Sequence, residues 1–127
     1  MIITGAGAGL GRAYAHMYGK LGANVLVNDV SEKGANTVVA EVQSGPCSLL
    51  CMRMYSLRSS IAGGKAAAVI CSAEDGESIV KAALETFGGV HVLIANAGIL
   101  RDKSFTSMSE QEWDAVIAVH LRLVCHA

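Results

Sequence analysis

The sequence Thr4-Gly-Ala-Gly-Ala-Gly-Leu-Gly11 decides the fold of this chain. It follows a short apolar run, residues 1–3, and opens a segment in which apolar residues recur at helical spacing from Leu10 to Leu21. Glycine lets the backbone of such a turn approach a phosphate closely, while free N–H groups and the positive end of the helix dipole point at the anion. The turn predicts a place for a dinucleotide's pyrophosphate, with contacts at Gly5, Gly9, Leu10 and Gly11. A glycine-rich turn that binds nothing is the alternative.

A carboxylate ends the next predicted strand, which covers residues 23–29. Asp29 lies 29 − 11 = 18 positions after Gly11, close to the ~20 residues expected for an acid that binds the ribose hydroxyls of the cofactor. Because a carboxylate would repel a 2′-phosphate, Asp29 favours NAD over NADP. A helix N-cap is the alternative role for Asp29.

Composition narrows the class of protein. The chain has 127 residues, 52% of them hydrophobic, which suits one domain with a buried core. A net charge of −1 gives no electrostatic signature of a nucleic-acid or anionic-membrane partner.

No apolar run reaches the ~18 residues of a membrane span, and no signal-peptide pattern opens the chain, so we expect a soluble intracellular protein. The four cysteines form no C-x-x-C pair and the histidines lack ligand spacing, so we expect reduced thiols and no metal site.

Strand and helix patterns alternate along most of the chain. We expect a helix over residues 32–43 capped by Ser31, a strand over 66–71, an amphipathic helix that ends at Gly88, and a buried strand over 90–95. Ser109 and Glu112 form a capping box for a last helix that carries Trp113 and His120. Such alternation predicts an α/β fold. Its form is a partial Rossmann-type, doubly wound parallel sheet of about four strands in the order 3-2-1-4, with flanking helices.

Residues 45–61 fit none of these patterns. The segment is rich in Ser, Leu, Arg, Met and Cys and has neither a period of two nor a helical stripe. It makes the connection between helix and strand far longer than the usual 2 to 6 residues. Three interpretations stay open: an extra short helix, a mobile loop, or translated sequence that no selection shaped.

Four features together resemble the short-chain dehydrogenase/reductase family: the Thr-Gly-x-x-x-Gly-x-Gly turn, Asp29, the strand-end Asn96-Ala97-Gly98, and the helix of Trp113. Within that family, residues 4–15, 27–29, 98–105 and 108–114 resemble the (3R)-hydroxyacyl-CoA dehydrogenases of the peroxisomal multifunctional enzymes. The 3-oxoacyl-carrier-protein reductases share part of the last two motifs. The resemblance implies NAD as cofactor, an acyl-CoA-type substrate of fatty-acid β-oxidation, a peroxisomal location, and a homodimer formed through the last helix.

The resemblance also implies roles for residues far from the glycine turn. Asn96, Ala97 and Gly98 would line the cofactor on its nicotinamide side, with a plain strand-to-loop turn as the alternative. His120 stands at the position of the family's active-site asparagine, which implies a catalytic role, whereas a packing histidine is the alternative. Cys71 stands where the family usually has an aspartate near the adenine.

One part of the family pattern is missing from the sequence. Family chemistry uses a tyrosine as general acid/base with a lysine four positions later, and no Tyr-x-x-x-Lys occurs in this chain. We therefore expect residues 1–127 to be a single truncated NAD-binding domain with an atypical insertion at about 45–61, inactive as an isolated chain. A non-catalytic dinucleotide-binding or dimerisation module, or a reductase-like fragment, is the alternative. The last residues show no Ser-Lys-Leu-type signal, so a cytoplasmic location is the alternative to the peroxisome.

Overall fold

The fold is taken from a computed structural model, which describes residues 1–44 and 64–122. The atypical segment at about 45–61 lies outside the described residues. The three interpretations of that segment, and the domain boundaries, therefore stay predictions.

Four parallel strands form one sheet in the order β3-β2-β1-β4. The strands are β1 Ile2–Thr4, β2 Val25–Asp29, β3 Ala66–Ile70 and β4 Leu93–Ile94. In register, Ile3 of β1 lies opposite Val27 of β2 and Ile94 of β4. The predicted strand order, 3-2-1-4, is confirmed.

Within residues 1–44 and 64–122, four helices connect or follow the strands: α1 Gly9–Lys20, α2 Glu32–Ser44, α3 Gly76–Phe87 and α4 Glu110–Ile117. A 3-10 turn, Phe105–Ser107, precedes α4, and a π-helical turn, Ala118–Arg122, follows it. The predicted cap of α2 is confirmed, since Ser31 Oγ accepts a hydrogen bond from Gly34 N at 3.2 Å. The predicted end of α3 is also confirmed, since Gly88 adopts the left-handed conformation with φ 76°.

The core lies on both faces of the sheet, as a doubly wound fold requires. On one face, Ile3, Val25 and Val27 pack with the buried side of α2, including Val38 and Val42. On the other, Ile2 and Leu26 pack with Ile79 and Ala83 of α3. Neighbouring residues of one strand therefore serve opposite cores, because successive side chains of a strand point to opposite faces.

The prediction of a buried strand over residues 90–95 is wrong in length and in burial. Only Leu93 and Ile94 are in strand conformation, and Val90, Val92 and Leu93 are 37%, 47% and 37% exposed. Among the described residues β4 pairs with β1 alone, so one edge of β4 has no neighbouring strand and its apolar side chains stay partly uncovered.

The prediction of one continuous last helix is also corrected. The α-helix ends at Ile117 and the chain continues as the π-helical turn that carries His120. No residue of α4 is buried, and Trp113 packs edge-on against Phe105 with ring centroids 6.2 Å apart. The capping box is confirmed: Ser109 Oγ accepts from Glu112 N, and Glu112 Oε2 accepts from Ser109 N.

The first turn of α4 should weaken in acid. The hydrogen bond from Lys103 and those from the Ser109 backbone and hydroxyl lower the pKa of Glu112 from its ordinary 4.5 to about 2. A carboxyl whose folded pKa is depressed contributes stability above its unfolded pKa and loses that contribution as pH falls through the folded value. Amide hydrogen exchange at Glu112 should therefore speed up as pH falls from about 4.5 towards 2, relative to the intrinsic rate. Glu112→Gln keeps a capping side chain but cannot ionise, and it should not show this acid-dependent step. An equal step in both proteins would contradict the assignment.

Candidate dinucleotide site

A cleft of about 380 Å³ opens at the carboxyl ends of the strands. Strand order reverses between β1 and β4, and ligands of open α/β sheets bind at such a switch point. The cleft brings together several residues that the sequence predicted, and its lining consists of Gly5, Asn28, Asp29, Val30, Ser72, Ala73, Asn96, Ala97, Gly98, Ile99 and Val119. Gly9, Leu10, Gly11 and His120 are not part of that lining. A wider hollow of about 840 Å³ runs along α3 between residues 74 and 85, shares no lining residue with the cleft, and is bordered mainly by charged side chains.

Two glycines of the turn are required by close packing. A Cβ on Gly5 would lie 2.8 Å from Ala97 Cα, and Gly5 has φ +60°. A Cβ on Gly11 would collide with the Gly5 carbonyl oxygen and lie 2.7 Å from Asn96 Nδ2. Both glycines therefore let the turn, the start of α1 and the chain after β4 come together.

Gly9 differs from these two glycines. It also has a positive φ, +54°, but a Cβ there would meet nothing within 4 Å. Its neighbour Leu10 is 69% exposed. The turn is thus packed at Gly5 and Gly11 and open at Gly9, where a ligand can approach the backbone.

Thr4 joins the glycine turn to the segment after β4. Its buried hydroxyl Oγ1 accepts hydrogen bonds from the backbone N–H groups of Asn96 and Ala97, both at 3.1 Å. In return, Asn96 Nδ2 donates to the carbonyls of Thr4 and Gly5, at 3.0 and 3.1 Å. The side-chain amide of Asn96 thus fixes the start of the glycine turn by two hydrogen bonds. The sequence analysis missed Thr4, although a hydroxyl directly before the glycine turn is a usable signal.

Asp29 contacts the glycine turn directly. Its Oδ2 accepts a hydrogen bond from Gly7 N at 2.8 Å, and its Oδ1 accepts one from Ser31 N at 2.8 Å. Because Ser31 caps α2, the alternative role of Asp29 as helix N-cap does not match the geometry. The carboxylate borders the cleft with one acceptor position on each oxygen already used.

At the end of the cleft between β2 and β3, the lining residues are Asn28, Val30, Ser72 and Ala73. Asn28 is fully buried, and its Nδ2 donates to the carbonyls of Val69 and Cys71, at 3.3 and 3.0 Å. Asn28 Oδ1 has no hydrogen-bond partner within the described part of the chain. Burial, with the nearby charge of Asp75, raises the pKa of the Cys71 thiol, so the thiol is protonated at neutral pH.

His120 packs against the backbone at the β4 end of the cleft. Its Nε2 lies 3.1 Å from Ile99 N and 2.9 Å from the Ile99 carbonyl oxygen. Depending on its tautomer, the ring accepts from the first or donates to the second. A Cβ on Gly98 would lie 2.8 Å from His120 Cε1, so a side chain at this position would displace the imidazole ring.

The comparison with known proteins decides the family. The short chain dehydrogenase model matches residues 1–127. The chain belongs to the short-chain dehydrogenase family. It is 43% identical to the peroxisomal multifunctional enzyme A of Dictyostelium discoideum, over 96% of this chain and 26% of that protein. It is also 42% identical to the peroxisomal multifunctional enzyme type 2 of Mus musculus, over 96% of this chain and 16% of that protein.

Solved structures give the same family and fold. The 3-ketoacyl-(acyl-carrier-protein) reductase of Brucella melitensis, crystallised with NADH, superposes with a TM-score of 0.76 at 30% identity, over 98% of this chain and 44% of that one. A metagenomic short-chain oxidoreductase crystallised with NADP superposes with a TM-score of 0.73 at 28% identity, over 96% of this chain and 49% of that one. The predicted resemblance is confirmed. This short-chain dehydrogenase spans less than half of each of these relatives.

Two further findings concern the described residues only. None of their helices is long and apolar enough to cross a membrane. They also contain no group of three or more His, Cys, Asp or Glu side chains arranged to hold a metal ion.

Replacement of the Thr4 hydroxyl should destabilise the site region. Thr4→Val keeps the shape of the side chain but removes the acceptor of the Ala97 N–H and one of the two acceptors of the Asn96 N–H, which also bonds to the Ile94 carbonyl. We expect the free energy of unfolding to fall by about 1–3 kcal/mol, the usual cost of leaving a donor away from water unpaired. Urea denaturation measures the change, with Thr4→Ser as the matched control because it retains the hydroxyl. A Thr4→Val variant as stable as the Thr4→Ser variant would contradict this role.

Proposed function

We propose that this chain binds NAD in the cleft at the strand ends, as the cofactor-binding portion of an oxidoreductase that resembles the 3-hydroxyacyl-CoA dehydrogenases of fatty-acid β-oxidation. The observation that carries the proposal is the position of Asp29. It borders the cleft at the end of β2 and touches the glycine turn after β1, so ribose and pyrophosphate would have adjoining places. The likeness to a 3-ketoacyl-(acyl-carrier-protein) reductase supports an acyl substrate that carries oxygen at carbon 3.

The residues present fit a dinucleotide. The exposed backbone at Gly9, next to the first turn of α1, would take the pyrophosphate. Each carboxylate oxygen of Asp29 accepts one hydrogen bond and keeps a second acceptor position for a ribose hydroxyl. The base would lie between β2 and β3 beside Val30 and Ala73, where a bound group or a water can satisfy Asn28 Oδ1.

The nicotinamide would lie at the opposite end, beside the backbone of residues 97–99. When bound, NAD supplies the hydride acceptor for oxidation of a carbon that bears a hydroxyl. We propose that His120 contributes to this end of the site by holding Ile99 and packing on Gly98, which keeps the cleft wall in one position.

The chain should prefer NAD to NADP. A 2′-phosphate would bring negative charge next to the Asp29 carboxylate, and the two would repel each other. Both groups are hydrogen-bond acceptors, so they cannot bond to each other unless one of them is protonated. Calorimetric titration should give at least about tenfold tighter binding of NAD, since one charge repulsion of ~1.4 kcal/mol suffices for that ratio. Asp114→Asn removes a carboxylate of α4 that does not line the cleft and should leave the ratio unchanged. Equal affinity for the two cofactors would contradict the preference.

Binding without turnover is the expected behaviour of residues 1–127. The three tyrosines, at positions 14, 18 and 55, are followed four residues later by Tyr18, Gly22 and Ser59, so none has a lysine at that spacing. The proton-transfer pair of the family chemistry is therefore missing from this sequence.

Purified chain should form no NADH from NAD and a 3-hydroxyacyl-CoA above the rate of a protein-free blank. Absorbance at the NADH band measures the rate, and NAD titration of the same preparation serves as the control for a folded site. Turnover that grows in proportion to the protein concentration would overturn the expected inactivity while leaving the binding proposal intact.

A second candidate function is association through the last helix. Phe105 and Trp113 form an aromatic pair that is 82% and 49% exposed, and no residue of α4 is buried. Large exposed apolar side chains are typical of protein–protein interfaces. This surface favours a homodimer or a dimerisation module, and the names of the multifunctional relatives favour a peroxisomal location for it.

A further inference from the structure

Gly7 stands outside the three motif glycines, yet it is the one that Asp29 holds. Its N–H donates to Asp29 Oδ2 at 2.8 Å. A Cβ on Gly7 would lie 2.8 Å from both Cγ and Oδ2 of that carboxyl, and 3.2 Å from Ala35 N in α2. Gly7 has no positive φ. Glycine is therefore needed at this position because there is no room for a side chain, and not because the backbone conformation is unusual.

The first turn of α2 completes this contact. A Cβ on Gly34 would lie 3.1 Å from the Gly7 carbonyl oxygen, so helix and turn pack backbone to backbone. The other carboxylate oxygen of Asp29 accepts from Ser31 N at 2.8 Å, which fixes the side chain to the start of the same helix. Gly7 is thus enclosed by a carboxylate and by a helix end, both of which are anchored.

The two halves of the turn therefore have different anchors. Asn96 and Ala97 hold it at Gly5 and Gly11, while Asp29 holds it at Gly7. Gly9 lies between these anchors with its outer side open. A hydrogen bond to an ionised acceptor is roughly twice as strong as a neutral one, so the Asp29 anchor is a substantial part of what orients the N–H groups near Gly9.

We infer that Asp29 is a positioning residue for the pyrophosphate turn in addition to its proposed contact with ribose. This inference rests on the proposed binding of NAD. If the inference holds, removal of the carboxylate weakens the binding of every dinucleotide, including one that has no ribose hydroxyl for Asp29 to bind. Relief of charge repulsion alone therefore cannot convert this site from NAD to NADP.

Electrostatics and positioning predict opposite results for one substitution. Asp29→Asn keeps the size of the side chain but replaces one acceptor oxygen with an amide NH₂, so either Gly7 or Ser31 loses its bond. Loss of a negative charge by itself would strengthen the binding of a pyrophosphate. Weaker binding therefore reports the loss of turn geometry.

The test uses an NAD analogue whose adenosine ribose lacks the 2′- and 3′-hydroxyls. At a temperature where both proteins are folded, Asp29→Asn should raise the Kd of this analogue on the order of tenfold relative to the wild type. Amide exchange at Gly7 in the ligand-free protein should also become faster. Asp114→Asn, with the same change of charge on α4, should alter neither quantity. An unchanged Kd for the analogue, with weaker binding of NAD alone, would show that Asp29 only recognises the ribose and would overturn the inference.

A wild-type chain that binds neither ligand would defeat the proposed function rather than this inference. The amide exchange rate at Gly7 then tests the inference by itself, and equal rates in the wild type and in Asp29→Asn would overturn the inference.

If Asp29→Asn does not fold, the variant Gly34→Ala tests the inference instead. It leaves the carboxylate intact and favours the helix, but it presses on the Gly7 carbonyl. We expect a higher Kd for the analogue and faster exchange at Gly7, and wild-type values for both would overturn the inference.

Discussion

The contact between the glycine turn and residues 96–97 is the interaction on which the rest of the structure depends. β1 and β4 pair over only two residues each, so backbone pairing alone attaches β4 weakly to the sheet. The hydrogen bonds of Thr4 and Asn96 join the same two strands just beyond their ends. Because Gly5 and Gly11 have no side chains, these segments approach closely enough for those bonds to form. The cleft exists because this contact sets the separation of the strand ends.

The two sides of the cleft are held together by different forces. The side formed by β1, β2, β3 and their helices has a continuous apolar core. At its surface, hydrogen bonds from Arg12 and His16 lower the pKa of Glu41 and link α1 to α2, although such exposed pairs contribute little to stability. The β4 side carries exposed apolar groups and is attached mainly by polar contacts. The position of the β4 side therefore depends on its hydrogen bonds more than on a buried core.

The sequence predicted those features that local spacing determines. Helical spacing from Leu10 to Leu21 and the apolar run over residues 23–29 indicated a helix and a second strand after the glycine turn. Strand–helix alternation indicated the order of the sheet. Burial of β4 could not be predicted in the same way, because it depends on what covers a sheet edge and not on the apolar run itself. The hydroxyl of Thr4 and the strand-end Asn96 are visible in the sequence, but the hydrogen bonds between them could not be predicted, since they span more than ninety residues. Gly7 escaped notice because it stands outside the three motif glycines and its bond to Asp29 spans 22 residues.

The three polar contacts at the cleft share a property that bears on the proposed NAD site. Thr4 with Asn96, Asp29 with Gly7, and His120 with Ile99 each hold a piece of backbone by a side chain from a different element. Backbone that is already ordered loses little conformational entropy when a ligand binds, so more of the contact energy appears as affinity. On the proposed function, the same arrangement would make cofactor binding separable from catalysis. Pre-ordering of the cleft depends on Thr4, Asp29 and His120, whereas proton transfer needs a tyrosine–lysine pair, which none of these contacts uses.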